Sequence, residues 1–152
     1  MEVTGRSRSG GVWFLALLLL TIVSVSAEPA GDPIQRVNQV ADALAAGTPA
    51  DAISVFDKSC PNYEQIRRYF EGLADSFDLT NQIEITDQHQ AESDTTLTVS
   101  WDLTLTDKST DATEHRTAEI TVKLQIKDGK WKITEFRPID IFNPAIRAAA
   151  KA

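Results

Sequence analysis

The sequence predicts an α+β domain in which N-terminal helices pack on one face of an antiparallel sheet of about four strands. Apolar residues recur at spacings of three and four up to residue 77, and they alternate with polar residues from residue 82 onward. The first pattern is typical of helices with one buried face, and the second of strands with one apolar and one wetted face. Because the helical patterns come first, helices and strands are expected to segregate.

The first 27 residues have the features of a secretory signal peptide. Arg6 and Arg8 precede an apolar run from Val12 to Val23, and small residues end the segment at Ala27. A basic start, a short apolar core and a small-residue end are typical of a cleaved signal. An uncleaved anchor is the alternative, although a membrane span needs about 20 apolar residues. We therefore expect export to the periplasm or the medium, with no stable membrane association after cleavage.

The rest of the chain is the size of one domain, and its composition limits its partners. We expect a linker over 28–32, a domain over 33–142 and a flexible tail over 143–152. The chain carries 22 acidic and 15 basic side chains, a formal net charge of −7, which disfavours nucleic acid as a partner. The single cysteine, Cys60, is expected to be a buried apolar residue. One cysteine and two separated histidines give no zinc spacing, so we expect neither metal nor cofactor.

Three helices are predicted before the sheet. Asp32 supplies the N-cap of the first helix, which ends at Gly47. Thr48 provides a hydroxyl cap for a short second helix. Asn62 caps a third helix over 63–77, whose apolar stripe is rich in aromatic residues.

The strands follow from the change of period at Gln82. The strongest alternation runs over 94–106, and a polar loop over 107–114 leads to the next strand. Asp128-Gly129 predicts a tight hairpin turn, and Phe136 is out of step with the last strand, which predicts either a bulge or the end of the strand there. The inward positions of the two central strands are apolar: Leu97, Val99, Trp101, Leu103, Ile120, Val122 and Leu124.

This layout resembles the nuclear transport factor 2-like (NTF2-like, also SnoaL-like) superfamily over nearly all of residues 33–142. The resemblance rests on Ala-Ala-Gly-Thr-Pro at 45–49, on the aromatic third helix, and on Gly129-Lys130-Trp131-Lys132-Ile133, which looks like the family's G-x-W-K-I ending. It implies a curved sheet wrapped around a helix, leaving a conical pocket. Because the family includes isomerases, cyclases, dehydratases and transport adaptors, it does not select one function. No catalytic motif of the family is matched.

Asp87 and His89 are the candidate catalytic residues. If the first strand continues, its parity puts Ile83, Ile85, Asp87 and His89 on one face, where the carboxylate could orient the imidazole as a general base. The chain would then be an isomerase, hydrolase or dehydratase of SnoaL-like type. The alternative is a strand that ends near Thr86 and leaves the pair in an exposed loop.

A ligand pocket is the second hypothesis. Tyr63, Tyr69 and Phe70 of the third helix are expected to meet the inward face of the sheet at Trp101 and Val122. These residues could line a pocket for an apolar small molecule, with the two phenols as polar handles, or they could form a filled core. We expect a non-catalytic domain that binds such a ligand or acts as an accessory protein.

Protein association is the third hypothesis. The resemblance implies that relatives often dimerise through the outer face of the sheet. Here that face is polar, comprising Thr96, Thr98, Ser100, Asp102, Thr104, Glu119, Thr121, Lys123 and Gln125. Since stable dimers bury an apolar patch, we expect a monomer or a weak homodimer.

Overall fold

Three helices precede a four-stranded antiparallel sheet in the computed structural model, which describes residues 31–145. The elements are α1 (Pro33–Ala46), α2 (Pro49–Ile53), α3 (Tyr63–Ser76), β1 (Phe77–Gln90), β2 (Asp94–Asp107), β3 (Thr113–Lys127), β4 (Lys130–Arg137) and a 3-10 turn (Asp140–Phe142). The predicted fold class is confirmed. The predicted signal peptide, residues 28–30 of the linker and residues 146–152 of the tail lie outside the described residues. No helix within residues 31–145 is long and apolar enough to cross a membrane.

The sheet is a meander in which each strand pairs with the next one along the chain. Leu97 lies opposite Val122 and Val99 opposite Ile120, so the inward rows of β2 and β3 coincide. The seven predicted inward side chains are all fully buried, as the alternation predicts. The opposite face carries most of the threonines and charged residues of the sheet, and the helices cover the apolar face.

The boundary between α3 and β1 differs from the prediction. Helix α3 ends at Ser76, and β1 begins at Phe77 rather than at Gln82. Phe77 lies one helical turn beyond Leu73, which made it look like the end of the helix, but its backbone is extended, with φ −134° and ψ 151°. Its N–H still bonds the carbonyl of Leu73, so one residue both caps the helix and starts the strand.

Two of the three predicted N-caps form no cap hydrogen bond. The Asp32 carboxylate accepts the N–H of Ile34 at 2.9 Å, as predicted. The Thr48 hydroxyl instead donates to the carbonyl of Ala43 at 3.1 Å, which ties the start of α2 to the end of α1. Asn62 precedes α3 in the left-handed conformation, at φ 65°, and its side chain bonds no helical N–H.

The last hairpin has the predicted turn and bulge. Asp128 and Gly129 adopt φ angles of 53° and 79°, the positive values that a tight two-residue turn requires. The register between β3 and β4 skips Thr134. Because one extra residue reverses the parity of everything after it, Phe136 points inward and is buried.

A side-chain bridge joins α1 to the sheet through Asn81 on β1. The indole N–H of Trp101 donates to the Asn81 carboxamide oxygen at 2.8 Å. The Asn81 amide in turn donates to the carbonyl of Ala41 in α1 at 3.0 Å. The only polar atom of the buried Trp101 side chain is therefore paired, and the same amide group fixes α1 against β1.

Replacing Asn81 with Ala is expected to lower the free energy of unfolding by about 1–3 kcal/mol, because the Trp101 N–H would stay buried without a partner. Urea unfolding followed by circular dichroism measures the loss. Gln82→Ala is the matched control, since Gln82 is the next residue and is exposed; its effect should lie within about 0.5 kcal/mol. Equal stability of the two variants would contradict the bridge.

Candidate functional site

Five aromatic rings fill the space between the sheet and α3. They come from five different parts of the chain: Phe56 after α2, Phe70 on α3, Trp101 on β2, Phe136 on β4 and Phe142 in the 3-10 turn. All five are buried, and neighbouring ring centroids lie 5.1 to 5.9 Å apart. Five of the six ring pairs meet edge to face, an arrangement that aromatic rings favour. The interior is therefore an apolar, largely aromatic environment.

The structure brings together three of the five predicted ligand-binding residues. Phe70, Trp101 and Val122 are fully buried in this interior. Tyr63 and Tyr69 are only half-buried and pack against the edge of the core. The Tyr69 hydroxyl accepts from the Gln65 side chain at 2.8 Å, so that phenol is bonded along its own helix.

Phe142 is an interior residue that the sequence analysis did not single out. Its ring lies 5.5 Å from Phe70, 5.3 Å from Trp101 and 5.6 Å from Phe136, measured between centroids. It thus joins the helix to two strands of the sheet. The signal in the sequence is the apolar run Ile141-Phe142, which follows the last strand in a segment with no strand or helix pattern of its own.

Arg116 and Glu114 form an ion pair on the inward side of β3, a second feature missed from the sequence. Arg116 Nε donates to Glu114 Oε2 at 2.7 Å, and the two side chains are only 7% and 16% exposed. Arg116 Nη1 also donates to the carbonyls of Ile141 and Asn143, both at 2.8 Å. Extending the inward parity of β3 back from Ile120 would have placed both charged residues on this face.

The residues after β4 lie close against α3. We call residues 138–145 the C-terminal strap. A Cβ atom at Gly72 of α3 would come within 2.8 Å of the Pro144 side chain, so the glycine allows the strap to approach the helix.

Asp87 and His89 lie together, but not on the predicted face. Strand β1 continues to Gln90, and its register with β2 shifts between Ile85 and Asp87, leaving Thr86 as an extra residue. Asp87 and His89 therefore lie opposite Thr98 and Thr96 on the outer face of the sheet, which corrects both the parity prediction and the alternative of a loop. His89 Nε2 is 3.2 Å from Asp87 Oδ2, and the side chains are 80% and 59% exposed.

The outer face is polar, as predicted, and its charge is unevenly distributed. Three exposed acids, Glu84 on β1, Asp102 on β2 and Glu119 on β3, lie outside the part of the sheet that pairs with β4. The β3–β4 hairpin carries Lys123, Lys127 and Lys130, with Glu135 opposite Lys123. A groove of about 400 Å³ crosses the acidic part, lined by Thr80, Gln82, Asp102, Thr104, His115 and Thr117. His115 Nδ1 is 3.1 Å from the Thr104 hydroxyl, in an exposed position.

Cys60 is buried, as predicted. Burial raises the pKa of its thiol to about 11, and the negative charges of Glu135 and Asp57 act in the same direction. A thiol with a raised pKa is a poor nucleophile, because the thiolate is the reactive form. Residues 31–145 contain no group of three or more side chains placed to hold a metal ion.

The backbone matches several solved structures at low sequence identity. A candidate scytalone dehydratase from Novosphingobium aromaticivorans matches with a TM-score of 0.61 and 11% identity over 68% of this chain and 77% of its own. An NTF2-like protein of unknown function from Shewanella oneidensis matches with a TM-score of 0.53 and 11% identity, over 68% of this chain and 92% of its own.

This chain has the NTF2-like fold. The resemblance read from the sequence is confirmed at the level of the fold. A third match is a candidate calcium/calmodulin-dependent protein kinase II association domain from Xanthomonas campestris, with a TM-score of 0.53 and 21% identity over 74% of this chain and 90% of its own. No protein-family model and no curated protein matches the chain. The structural neighbours thus include a candidate dehydratase, a ketosteroid isomerase-like protein and a candidate association domain.

The raised pKa of Cys60 predicts a loss of stability at alkaline pH. The thiol of the unfolded chain ionises near pH 9, whereas the folded thiol stays neutral until about pH 11. Stability from this group is therefore complete below pH 9 and falls as the pH rises toward 11. Urea unfolding under reducing conditions should show a steeper decline over this window for the native protein than for Cys60→Ala. Parallel declines would contradict the burial of the thiol.

Proposed function

We propose that this NTF2-like domain is non-catalytic and binds a small apolar molecule inside its cone. The observation that carries the proposal is the aromatic interior, where Phe70, Trp101 and Phe136 converge on the ring of Phe142. Ligand sites in proteins are mostly apolar and aromatic, with few polar groups. Phe142 belongs to the strap rather than to the sheet or a long helix. A ligand ring is therefore proposed to bind at the position of the Phe142 ring.

The arrangement of ionisable groups supports a binding role over catalysis. A general acid or base must reach the reacting atom, directly or through one water molecule. Asp87 and His89 lie in solvent on the outer face, away from the aromatic interior. Glu114 and Arg116 are on the inward side, but they are bonded to each other and the arginine also holds two strap carbonyls.

The same surroundings define the chemistry of the ligand. A charged molecule would lose its hydration without gaining a counter-ion among the five rings. The Trp101 N–H is already paired with Asn81, so it offers no donor to a ligand. The proposed ligand is therefore neutral and flat, with at least one aromatic or alicyclic ring.

We also propose that the domain works outside the cytoplasm. The support is the basic, apolar and small-residue order of residues 1–27. The fold suits this location without a disulfide, because its stability rests on a continuous hydrophobic core that includes Cys60 as a buried thiol.

Binding can be tested by titrating the purified protein with β-naphthol, a neutral bicyclic probe, and following backbone amide NMR signals. We expect saturable shifts at Phe70 and Val122, which line the interior. β-Naphthoate, the charged analogue, should bind at least about tenfold more weakly, because its carboxylate would be desolvated.

The variant Asp87→Asn is the matched control for the enzyme hypothesis. It should bind β-naphthol with unchanged affinity, since Asp87 is exposed on the outer face. Shifts confined to exposed residues, or equal affinity for the neutral and charged probes, would overturn the proposed function.

Association through the outer face is the second candidate function. The observation that favours it is the charge distribution, with Glu84, Asp102 and Glu119 on one part of the face and lysines on the other. Two copies facing each other can place acids of one against lysines of its partner, while the polar surface supplies little apolar area to bury. The expected product is a weak homodimer.

Salt provides the test of this second candidate, because screening weakens contacts between exposed charges. Sedimentation velocity should show a self-association that disappears at high salt and in Lys127→Glu. Lys58→Glu is the control, because Lys58 is exposed in the turn after α2 rather than on the sheet. A dimer that persists at high salt, or a monomer at every concentration, would argue against this mode of association.

A further inference from the structure

We infer that the C-terminal strap closes the aromatic interior and is displaced when a ligand binds there. Arg116 controls how readily a ligand enters, because its hydrogen bonds hold the strap in the closed position. The inference rests on the proposed function, since it assigns the regulation of the same interior site. The ligand ring takes the position of the Phe142 ring when the strap moves away.

Several contacts hold the strap in place, among them the burial of Ile139 and Ile141 in the hydrophobic core. The ring of Phe142 packs against Phe70, Trp101 and Phe136. Arg116 donates to two carbonyls on either side of that ring. Pro144 lies against α3 at Gly72, where a larger residue would collide with it.

The strap can leave without breaking the sheet. Its single 3-10 turn is closed by the N–H of Phe142 on the carbonyl of Ile139, at 2.9 Å, and by the N–H of Asn143 on Asp140, at 3.1 Å. Both of these bonds lie within the strap itself. The strands, in contrast, are joined by continuous ladders over 13 paired positions between β2 and β3. Few backbone bonds to the rest of the protein favour local opening of the strap, whereas the burial of Ile139, Ile141 and Phe142 opposes it.

Arg116 is suited to hold the strap reversibly because three of its partners, Glu114, Ile141 and Asn143, divide into two sets. Glu114 belongs to the same strand and stays with Arg116 when the strap moves. The carbonyls of Ile141 and Asn143 leave with the strap. The guanidinium therefore keeps its counter-ion in both states, while its hydrogen bonds to the two strap carbonyls are exchanged for water.

Two substitutions loosen the strap by different routes and leave the five rings untouched. Arg116→Gln removes the charged donor to the two carbonyls. Gly72→Ala places a Cβ against Pro144 and pushes the strap from α3. Arg67→Gln is the matched control on α3, because Arg67 pairs with the exposed Glu64 and Glu71 and does not touch the strap.

The experiment compares β-naphthol affinity and amide hydrogen exchange in the native protein and the three variants. The apparent dissociation constant rises as the open fraction falls, so both loosened variants should bind at least about tenfold more tightly than the native protein. The amides of Phe142 and Asn143 should exchange faster in the same two variants, without ligand. Arg67→Gln should match the native protein in both measurements. Gly72→Ala keeps the test decisive if Arg116→Gln does not fold.

The outcomes separate the inference from the function on which it rests. Faster exchange of the strap with unchanged β-naphthol affinity would show that the strap does not gate the site, and would overturn the inference while binding stands. Absence of interior shifts at Phe70 and Val122 in the native protein and in every folded variant would overturn the proposed function itself, together with the inference.

Discussion

The burial of Trp101 is the constraint on which the rest of the structure depends. A fully buried indole needs a partner for its N–H and close packing for its large ring. Asn81 meets the first need and, through Ala41, fixes α1 against the sheet. Phe136 and Phe142 meet the second, and each reaches the indole through an irregularity of the chain: the extra residue at Thr134 for one, and the strap for the other. The bridge, the bulge and the strap are thus consequences of one side chain.

Periodicity in the sequence was sufficient for the sheet, because alternation records the burial of each residue directly. The inward residues from Leu97 to Leu105 and the Asp128-Gly129 turn follow from it without any long-range information. Two register shifts show the limit of what alternation in the sequence can predict. The bulge before Phe136 can be recognised in the sequence, because an apolar residue falls where the alternation expects a polar one. From Thr86 to Gln90 every side chain is polar, so a shift there costs no burial, leaves no trace in the pattern, and moves Asp87 to the other face.

The interior site was harder to predict than the sheet because its decisive residues come from segments with no periodic pattern. Phe142 follows the last strand in a stretch too short for a hydrophobic period to be recognised. Arg116 was missed for a different reason: charged residues near a strand end are usually solvated, and its burial depends on carbonyls of a distant segment, 25 and 27 residues along the chain. Periodicity in the sequence identifies the sheet that forms the wall of the cone. Contacts between residues far apart in the chain determine that the strap closes it.

Burying the charged Arg116 side chain costs desolvation free energy, and this cost bears on the role of the residue. An apolar residue at Arg116 could pack against the same strand without the desolvation of a charge, and such replacements are often neutral or stabilising in other proteins. Stability alone therefore does not explain the ion pair with Glu114. The distinguishing property of Arg116 is that its guanidinium bonds two carbonyls of the strap, and in the inferred opening it would lose both while the Glu114 carboxylate stays beside it. A group of this kind suits a contact that must be made and broken, which is why the strap, rather than the exposed Asp87–His89 pair, is the place to look for the action of this protein.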